Sequence, residues 1–510
     1  MRTNLLEYLE DTVRRVPEKI AYSNGQDFMT FAQVYRESRA IGSFLQAKDV
    51  QREPVVVFMN KHPRAITAFL GVLYAGAAYV PIDEEMPRFR IRLILDTLQP
   101  RALICDSQTE RAVTSLEFPG AVYTYEEICL TPEDPAALAA IRDGHIDTDP
   151  AYVVFTSGST GVPKGVVACH RSVLDYIESF SEVLRLDAST VFGMQVPLYF
   201  DACLKEVYPT LKFGATTYII PKSLFMFPVK LVAFLNDHQI NTLCWVVSAL
   251  TMISAFGTLD TVVPHTLRLI AFGSEVMPIK QLKCWRKALP EARFINLYGP
   301  TEATGMSCYF EVDRDFADDE PIPIGRPFRN TAILLLGPDN RPARPGETGE
   351  ICIRGTALTM GYYKAFEKTA EVFVQNPLNK AYPELIYRTG DLARLNGRGE
   401  LVFVSRKDYQ IKHMGHRIEL GEIEAGANAL DAVRMAGCIY DAQESKIVLF
   451  YVGDLEPGAL LTALRDRLPR YMLPNQTERL DQLPLTSNAK IDRVALKMLH
   501  EQKKKEKQHG

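Results

Sequence analysis

Residues 156–164, TSGSTGVPK, interleave Gly158 and Gly161 with the hydroxyls of Thr156, Ser157, Ser159 and Thr160, then place Lys164 just before Gly165. Glycine-rich turns let backbone N–H groups point at an anion, the hydroxyls donate and the lysine adds positive charge. That is the chemistry of gripping a polyphosphate. The spacing is not that of a Walker loop, because Pro163 stands before the lysine and Gly165 stands where Ser or Thr would hold magnesium. A disordered Gly/Ser connector has a similar composition, but the apolar run YVVF upstream and the lysine argue for a loop at a strand end.

Carboxylates follow two other apolar runs. Gly273, Ser274 and Glu275 end RLIAFGSE, and Thr301 and Glu302 follow FINLYGP. Each glutamate alone reads as a solvated loop residue or a helix-cap partner. Beside a polyphosphate, Glu302 makes chemical sense holding Mg²⁺ between the phosphates, and Tyr298 offers a ring to a base. Asp391, after Thr389 and Gly390, is either a turn aspartate or a carboxylate for two ribose hydroxyls. Lys490 lies in a polar loop between apolar segments, where it is either solvated or a mobile catalytic cation. Cys169 and His170 are adjacent with no orienting partner, an arrangement that seldom gives nucleophile-base geometry.

Short apolar runs alternate with helical periodicity through most of the chain: PVVVFM, RALICD, TTYIIP, NTLCWVV, RLIAFG and FINLYG. This predicts an α/β fold with a parallel sheet, whose ligands sit beyond the carboxyl ends of the strands. From about 330 to 405 the pattern turns to short strands and frequent turns, predicting a β-rich subdomain of a large N-terminal domain, 1–405, made of layered mixed sheets with helices. Residues 406–500 predict a small, mobile α+β C-terminal domain, and EQKKKEKQHG, 501–510, a disordered basic tail.

With 510 residues, 47% of them hydrophobic, the chain can bury more than one core. Its 58 basic and 62 acidic residues leave a net charge of −4, which favours neither nucleic acid nor an anionic membrane. No apolar run is long enough to span a bilayer and the N-terminus is amphipathic with acidic residues, so the expectation is a cytoplasmic protein without membrane insertion. The nine cysteines form no CxxC pair, which argues against structural zinc and a disulfide framework.

Five stretches in this order, FTSGSTGVPKG, NLYGPTEAT, YRTGD, SRKDYQIKHMGHRIELGEIE and LTSNAKIDR, resemble the adenylate-forming superfamily of acyl- and aryl-CoA ligases, luciferases and amino-acid adenylation domains. FDACLKEVYPTL at 200–211 is most similar to the amino-acid adenylation branch, including stand-alone adenylation domains of nonribosomal peptide synthetases and D-alanine–carrier protein ligases. The resemblance implies ATP and Mg²⁺ as cofactors. It implies activation of an amino acid to an aminoacyl-adenylate with release of pyrophosphate, then transfer to the phosphopantetheine thiol of a carrier protein. By the same resemblance, residues from Thr156 to Lys164 hold the β- and γ-phosphates, Asn296 and Tyr298 take the adenine, with Gly299, Gly273, Ser274 and Glu275 also in the nucleotide site, and Thr301 and Glu302 handle the α-phosphate and magnesium. Asp391 binds the ribose, Arg406 assists at ribose or phosphate, and Lys490 bridges the substrate carboxylate and the α-phosphate. Asp408 matches the hinge and Gly415 the thiol's approach. Asp201 would hold the substrate ammonium, and the aligned pocket positions are Lys205, Ser248, Ile270, Phe272, Leu297, Gly305 and Met306.

A carboxylate attacking the α-phosphorus brings two anions together, so magnesium and a lysine are needed where charge builds up. The lysine must then leave before a thiol enters, which a C-terminal domain turning about Asp408 would achieve. The sequence shows no carrier segment of its own, so the carrier is expected in trans and the enzyme as a monomer. Lys205 departs from the apolar or aromatic residue common in that branch. It would either pair with an acidic substrate side chain, snorkel, or pair with Glu206. A CoA ligase for an acyl or aryl acid is the rival enzyme, disfavoured by Asp201, which an acyl pocket would bury unpaired. A non-catalytic nucleotide-binding protein is the third reading.

Overall fold

Six apolar runs, buried on both faces, stand side by side as parallel strands. In spatial order they are Arg293–Tyr298, Leu269–Gly273, Thr242–Val246, Val191–Met194, Thr216–Ile219 and Ile20–Ser23. Antiparallel strands flank them: Cys308–Glu311 and Arg326–Pro327 on one side, Phe28–Thr30 on the other. A second, six-stranded sheet runs Ala121–Thr124, Ala102–Cys105, Pro54–Phe58, Ala78–Ile82, Pro150–Thr156 and Lys164–Cys169. Residues of both sheets, Val55 and Ile104 from one and Phe192 and Ile295 from the other, share one core with the helices Phe31–Ala47 and Pro63–Tyr74. The first of these helices begins with a capping box between Thr30 and Gln33; the second begins with Pro63, whose missing N–H costs nothing at that position.

This computed structural model describes residues 2–158, 162–318, 320–408, 410–485 and 491–509, with side chains as far as 505. Ser159, Thr160, Gly161 and Lys490 therefore lie outside the described residues. The chain divides into two compact units: Met1–Glu84, Leu98–Val154 and Gly165–Lys407 in one, Glu85–Thr97, Phe155–Lys164 and Asp408–Gly510 in the other. The partition falls two residues beyond the expected 405/406 boundary. It also assigns two segments of the first half of the chain to the second unit.

The short strands expected from 330 onward form an antiparallel five-stranded sheet in the first unit, Thr331–Leu336, Gly349–Gly355, Phe373–Gln375, Leu385–Leu395 and Leu401–Arg406. The second unit has a hairpin, Gln410–His413 and His416–Glu419, and a three-stranded sheet of Val433–Asp441, Lys446–Gly453 and Gln476–Arg479. The helices Leu420–Asn428 and Pro457–Arg465 pack on that sheet through Ile423, Leu460 and Leu464.

The expected disordered tail is corrected. Helix Arg493–His509 runs through it, anchored by buried Leu496 and His500. Lys503 pairs with Glu478 at 2.5 Å, and Lys504 with Asp441 at 2.7 Å and Glu444 at 2.6 Å. Acceptors on other elements thus receive the basic run, which a composition argument cannot see.

Candidate active site

Each parallel strand of the large sheet carries polar groups just past its carboxyl end. After Leu269–Gly273 the chain turns at Ser274, whose φ is 67°, and aims Glu275 at the start of helix Val247–Ala255. There Glu275 Oε2 accepts the Ser248 N–H at 2.8 Å, a carboxylate satisfying a free helix N-terminal donor. Gly273 is required by close approach, since a Cβ there would lie 2.4 Å from the Leu297 carbonyl oxygen.

After Arg293–Tyr298 the chain folds tightly on itself. A Cβ on Gly299 would lie 2.3 Å from the Gly305 oxygen, and Thr304 and Gly305 both have positive φ. This places Thr301 and Glu302 in one short 3₁₀ turn. Glu302 is fully buried, and its Oε1 accepts the Tyr362 hydroxyl at 2.8 Å, while its backbone oxygen accepts Thr359 N–H and Oγ1 at 3.0 Å each. Asp201, half-buried, lies close enough to Thr301, Glu302 and Lys205 to feel each of them. Burial raises Asp201, with the Glu302 charge adding to it; Thr301 and Lys205 oppose. The structure thus brings Asp201, Thr301 and Glu302 together from sequence positions a hundred residues apart.

A second cluster joins three other expected residues. Tyr298 donates its hydroxyl to Asp391 Oδ2 at 2.6 Å, and Arg406 pairs with Asp391 Oδ1 across adjacent antiparallel strands. Asp391 is 2% exposed. Burial and then the Asp391 charge push the Tyr298 phenol far above its ordinary range. Asn296 is buried with its amide donating to the Pro323 carbonyl at 2.9 Å. Tyr362 was missed by sequence reasoning, because a tyrosine 60 residues from Glu302 in an irregular segment carries no local signal.

The expected pocket set does not form one wall, and strand alternation explains why. Leu297 and Met306 join the core that also holds Cys203, Leu204 and Ala271. Ile270 and Phe272 point to the other face and pack with Trp245 and Val247. Lys205 does not snorkel: it is 3% exposed, Glu206 is 0% exposed, and no hydrogen bond or ion pair joins them. Among the described residues neither has a hydrogen-bonding partner for its side chain.

In the second unit, Thr156 and Ser157 are buried at the end of strand Pro150–Thr156. Ser157 Oγ donates to the Arg417 carbonyl at 2.9 Å, and Gly158 N–H donates to Glu422 Oε2 at 3.2 Å. Glu422 is also ion-paired with buried Arg90. Gly158 has no room for a side chain, as a Cβ would lie 2.1 Å from the Val162 oxygen. Thr156 Oγ1 is buried with no hydrogen-bond partner among the described residues, a donor in want of an acceptor such as a phosphate oxygen. Lys164 is half-buried at the start of the next strand. Gly415 and Met414, with φ of 77° and 50°, form the two-residue turn of the hairpin, and exposed Asp408 opens the unit.

The carboxylates past the strands of the large sheet and the glycine-rich loop after Pro150–Thr156 are the features of a nucleotide-binding enzyme, and the chain belongs to the AMP-binding enzyme family, whose profile matches residues 9–363. It is 32% identical over 498 residues to tyrocidine synthase 1 of Brevibacillus parabrevis, covering 96% of this chain and 44% of that protein. The chain thus spans under half the length of that relative. It is also 32% identical over 505 residues to the D-alanine–D-alanyl carrier protein ligase of Staphylococcus aureus strain Newman, covering 96% of this chain and 98% of the other. The Vibrio cholerae adenylation domain AlmE, solved with glycyl-adenosine-5'-phosphate, shares the fold at a TM-score of 0.83 and 21% identity, with 98% of each chain covered.

Proposed function

We infer that the chain activates an amino acid with ATP, releasing pyrophosphate, and passes the aminoacyl group to the phosphopantetheine thiol of a carrier protein. The observation that carries this is Asp201, a half-buried carboxylate close to Thr301 and Glu302, which follow the strand Arg293–Tyr298. A carboxylate so placed needs a cation to offset its desolvation, and an α-ammonium supplies one. The full-length likeness to a D-alanine–D-alanyl carrier protein ligase supports the same reading and the carrier partner.

In this reading Tyr298 and Arg406 orient Asp391 for the ribose hydroxyls, and Thr156, Ser157, Gly158 and Lys164 receive the phosphates. Mg²⁺ would be carried in with ATP, lowering the repulsion between phosphate and carboxylate. Glu302 suits it as the protein's carboxylate ligand, because magnesium needs only one or two of these beside the phosphates. Lys490 is proposed to bridge the two reacting groups, and Asp408 to serve as the pivot of a mobile C-terminal domain. A reaction that consumes ATP supports a cytoplasmic setting, which is proposed with it. No helix among the described residues is long and apolar enough to cross a membrane.

The test is ATP–pyrophosphate exchange over L- and D-amino acids and their deaminated analogues. Exchange with amino acids, lost in Asp201→Ala along with the preference over deaminated analogues, is expected. Exchange with simple acyl or aryl acids alone would make the chain a CoA ligase.

A further inference from the structure

Beyond Asp201 the interior of the first unit holds charge that the reaction above does not use. Lys205 lies on helix Leu204–Phe213, four residues after Asp201, and is 3% exposed with no hydrogen bond or ion pair to a described residue. Asp201 and Glu206 are near enough to interact with it electrostatically, yet neither contacts it. Near Asp201, four buried oxygens have no hydrogen-bond partner among the described residues: the hydroxyls of Tyr152 and Tyr176 and both carboxyl oxygens of Glu206. Tyr176 reaches under the turn after Glu302, where a Cβ on Gly305 would lie 2.9 Å from its ring. Burial and then neighbouring Cys244, Asp201 and Glu206 push its phenol up, and burial and then Asp201 do the same to Tyr152, so both hydroxyls stay protonated donors. Buried polar groups left unpaired in this number are costly unless a ligand completes them.

The charge count points to the ligand's sign. Burial pushes Glu206 up to about 8, so near neutral pH it is largely protonated and offsets little positive charge. Lys61 donates to the Met194 and Gln195 carbonyls at 2.8 and 2.9 Å, and burial brings it down to about 7. Asp201 is committed to the substrate ammonium. Lys205 then makes no hydrogen bond or ion pair with a described residue, although Asp201 and Glu206 both feel its charge, and the Tyr152 and Tyr176 hydroxyls lie near the same Asp201 carboxylate. Such a set accepts an anion and penalises an apolar side chain.

We propose that Lys205, with the Tyr152 and Tyr176 hydroxyls, forms a specificity subsite for an amino acid carrying a side-chain carboxylate. The proposal rests on the amino-acid reading above. No contact other than Lys205 and these hydroxyls is required, and Glu206 donates its proton to the same carboxylate or remains a neutral neighbour.

Pyrophosphate exchange by the full chain, with aspartate and glutamate against asparagine and glutamine, and with alanine and leucine for comparison, tests it. The expected result is that an acid exceeds its own amide at least tenfold in kcat/KM. Lys205→Met is expected to lower exchange with the acid about a hundredfold and to reverse the acid-over-amide order, whereas Lys205→Arg retains that order. Tyr176→Phe is expected to lower kcat/KM for the acid about tenfold without lowering Tm, since it deletes an unpaired hydroxyl at constant shape. An uncharged amino acid as best substrate, or an unchanged acid-over-amide ratio in Lys205→Met, would overturn the subsite while leaving amino-acid activation intact. Exchange with simple carboxylic acids alone would overturn the underlying reading as well.

Discussion

Tyr362 and Arg406 fix the two carboxylates on which the nucleotide reading depends. Replacing Tyr362 with Phe removes the hydroxyl that donates to a fully buried Glu302 oxygen at 2.8 Å. We expect a loss of about 1–3 kcal/mol in unfolding free energy, and a higher Mg²⁺ requirement in pyrophosphate exchange. A stability change with an unaltered magnesium curve would confine Tyr362 to packing. Arg406→Gln leaves Asp391, 2% exposed, with Tyr298 as its neutral partner. Loss of one partner of a buried ion pair costs about 3–5 kcal/mol. Chemical denaturation should report that loss, and KM for ATP should rise more than that for the amino acid. Of these contacts the sequence indicated Asp391, Arg406 and Tyr298 by their positions in motifs, but not that the three touch. Tyr362 carried no sign at all, for its role exists only because a loop passes Glu302.

Helix ends and edges set the next scale. Helix Val247–Ala255 begins without a capping side chain of its own, and Glu275 supplies one from the next strand's end. Glu275→Ala should cost about 1 kcal/mol, the usual worth of an N-terminal cap, and shift the helix's amide protection in hydrogen exchange. An unchanged exchange pattern would remove the capping role. The helix Arg493–His509 is tied down by charge. Although burial raises it, Asp441 is held at about 2 by hydrogen bonds from Lys504, the Glu444 backbone and His500. Its folded pKa is below the unfolded value of 3.8, so this contribution is complete above pH 4 and is lost as pH falls toward 2. Lys504→Ala should move the acid loss of helix protection to higher pH; an unmoved midpoint would refute the linkage. Periodicity located most strands of the large sheet, since buried parallel strands are continuous apolar runs. It could not assign Ile270 and Phe272 to the face opposite Leu297, because an unbroken apolar run hides its own alternation.

At the scale of the molecule, the second unit is assembled from three separated segments. Arg90 and Glu422, 332 residues apart, form a buried pair within it, and Glu422 also receives the Gly158 N–H. Burial raises Glu422, with Arg90 the strongest opposing influence. Arg90→Leu should therefore weaken hydrogen-exchange protection of the hairpin at 410–419 and of the sheet at 433–453, leaving the strands at 269–273 and 293–298 unaffected. Equal loss in both units would mean that they unfold as one.

By itself the sequence determined the parts: the glycine- and hydroxyl-rich stretch at 156–164, the α/β rhythm, the antiparallel texture after 330, and the order of motifs that identifies the family. These are local matters of residue type, spacing and period. Only the tertiary structure decided which parts meet. Asp201 near Thr301, Tyr362 on Glu302 and the C-terminal helix held to its acidic neighbours all depend on side chains far apart in sequence. Burial and partnership are properties of the space between elements, and no single stretch of the chain encodes that space.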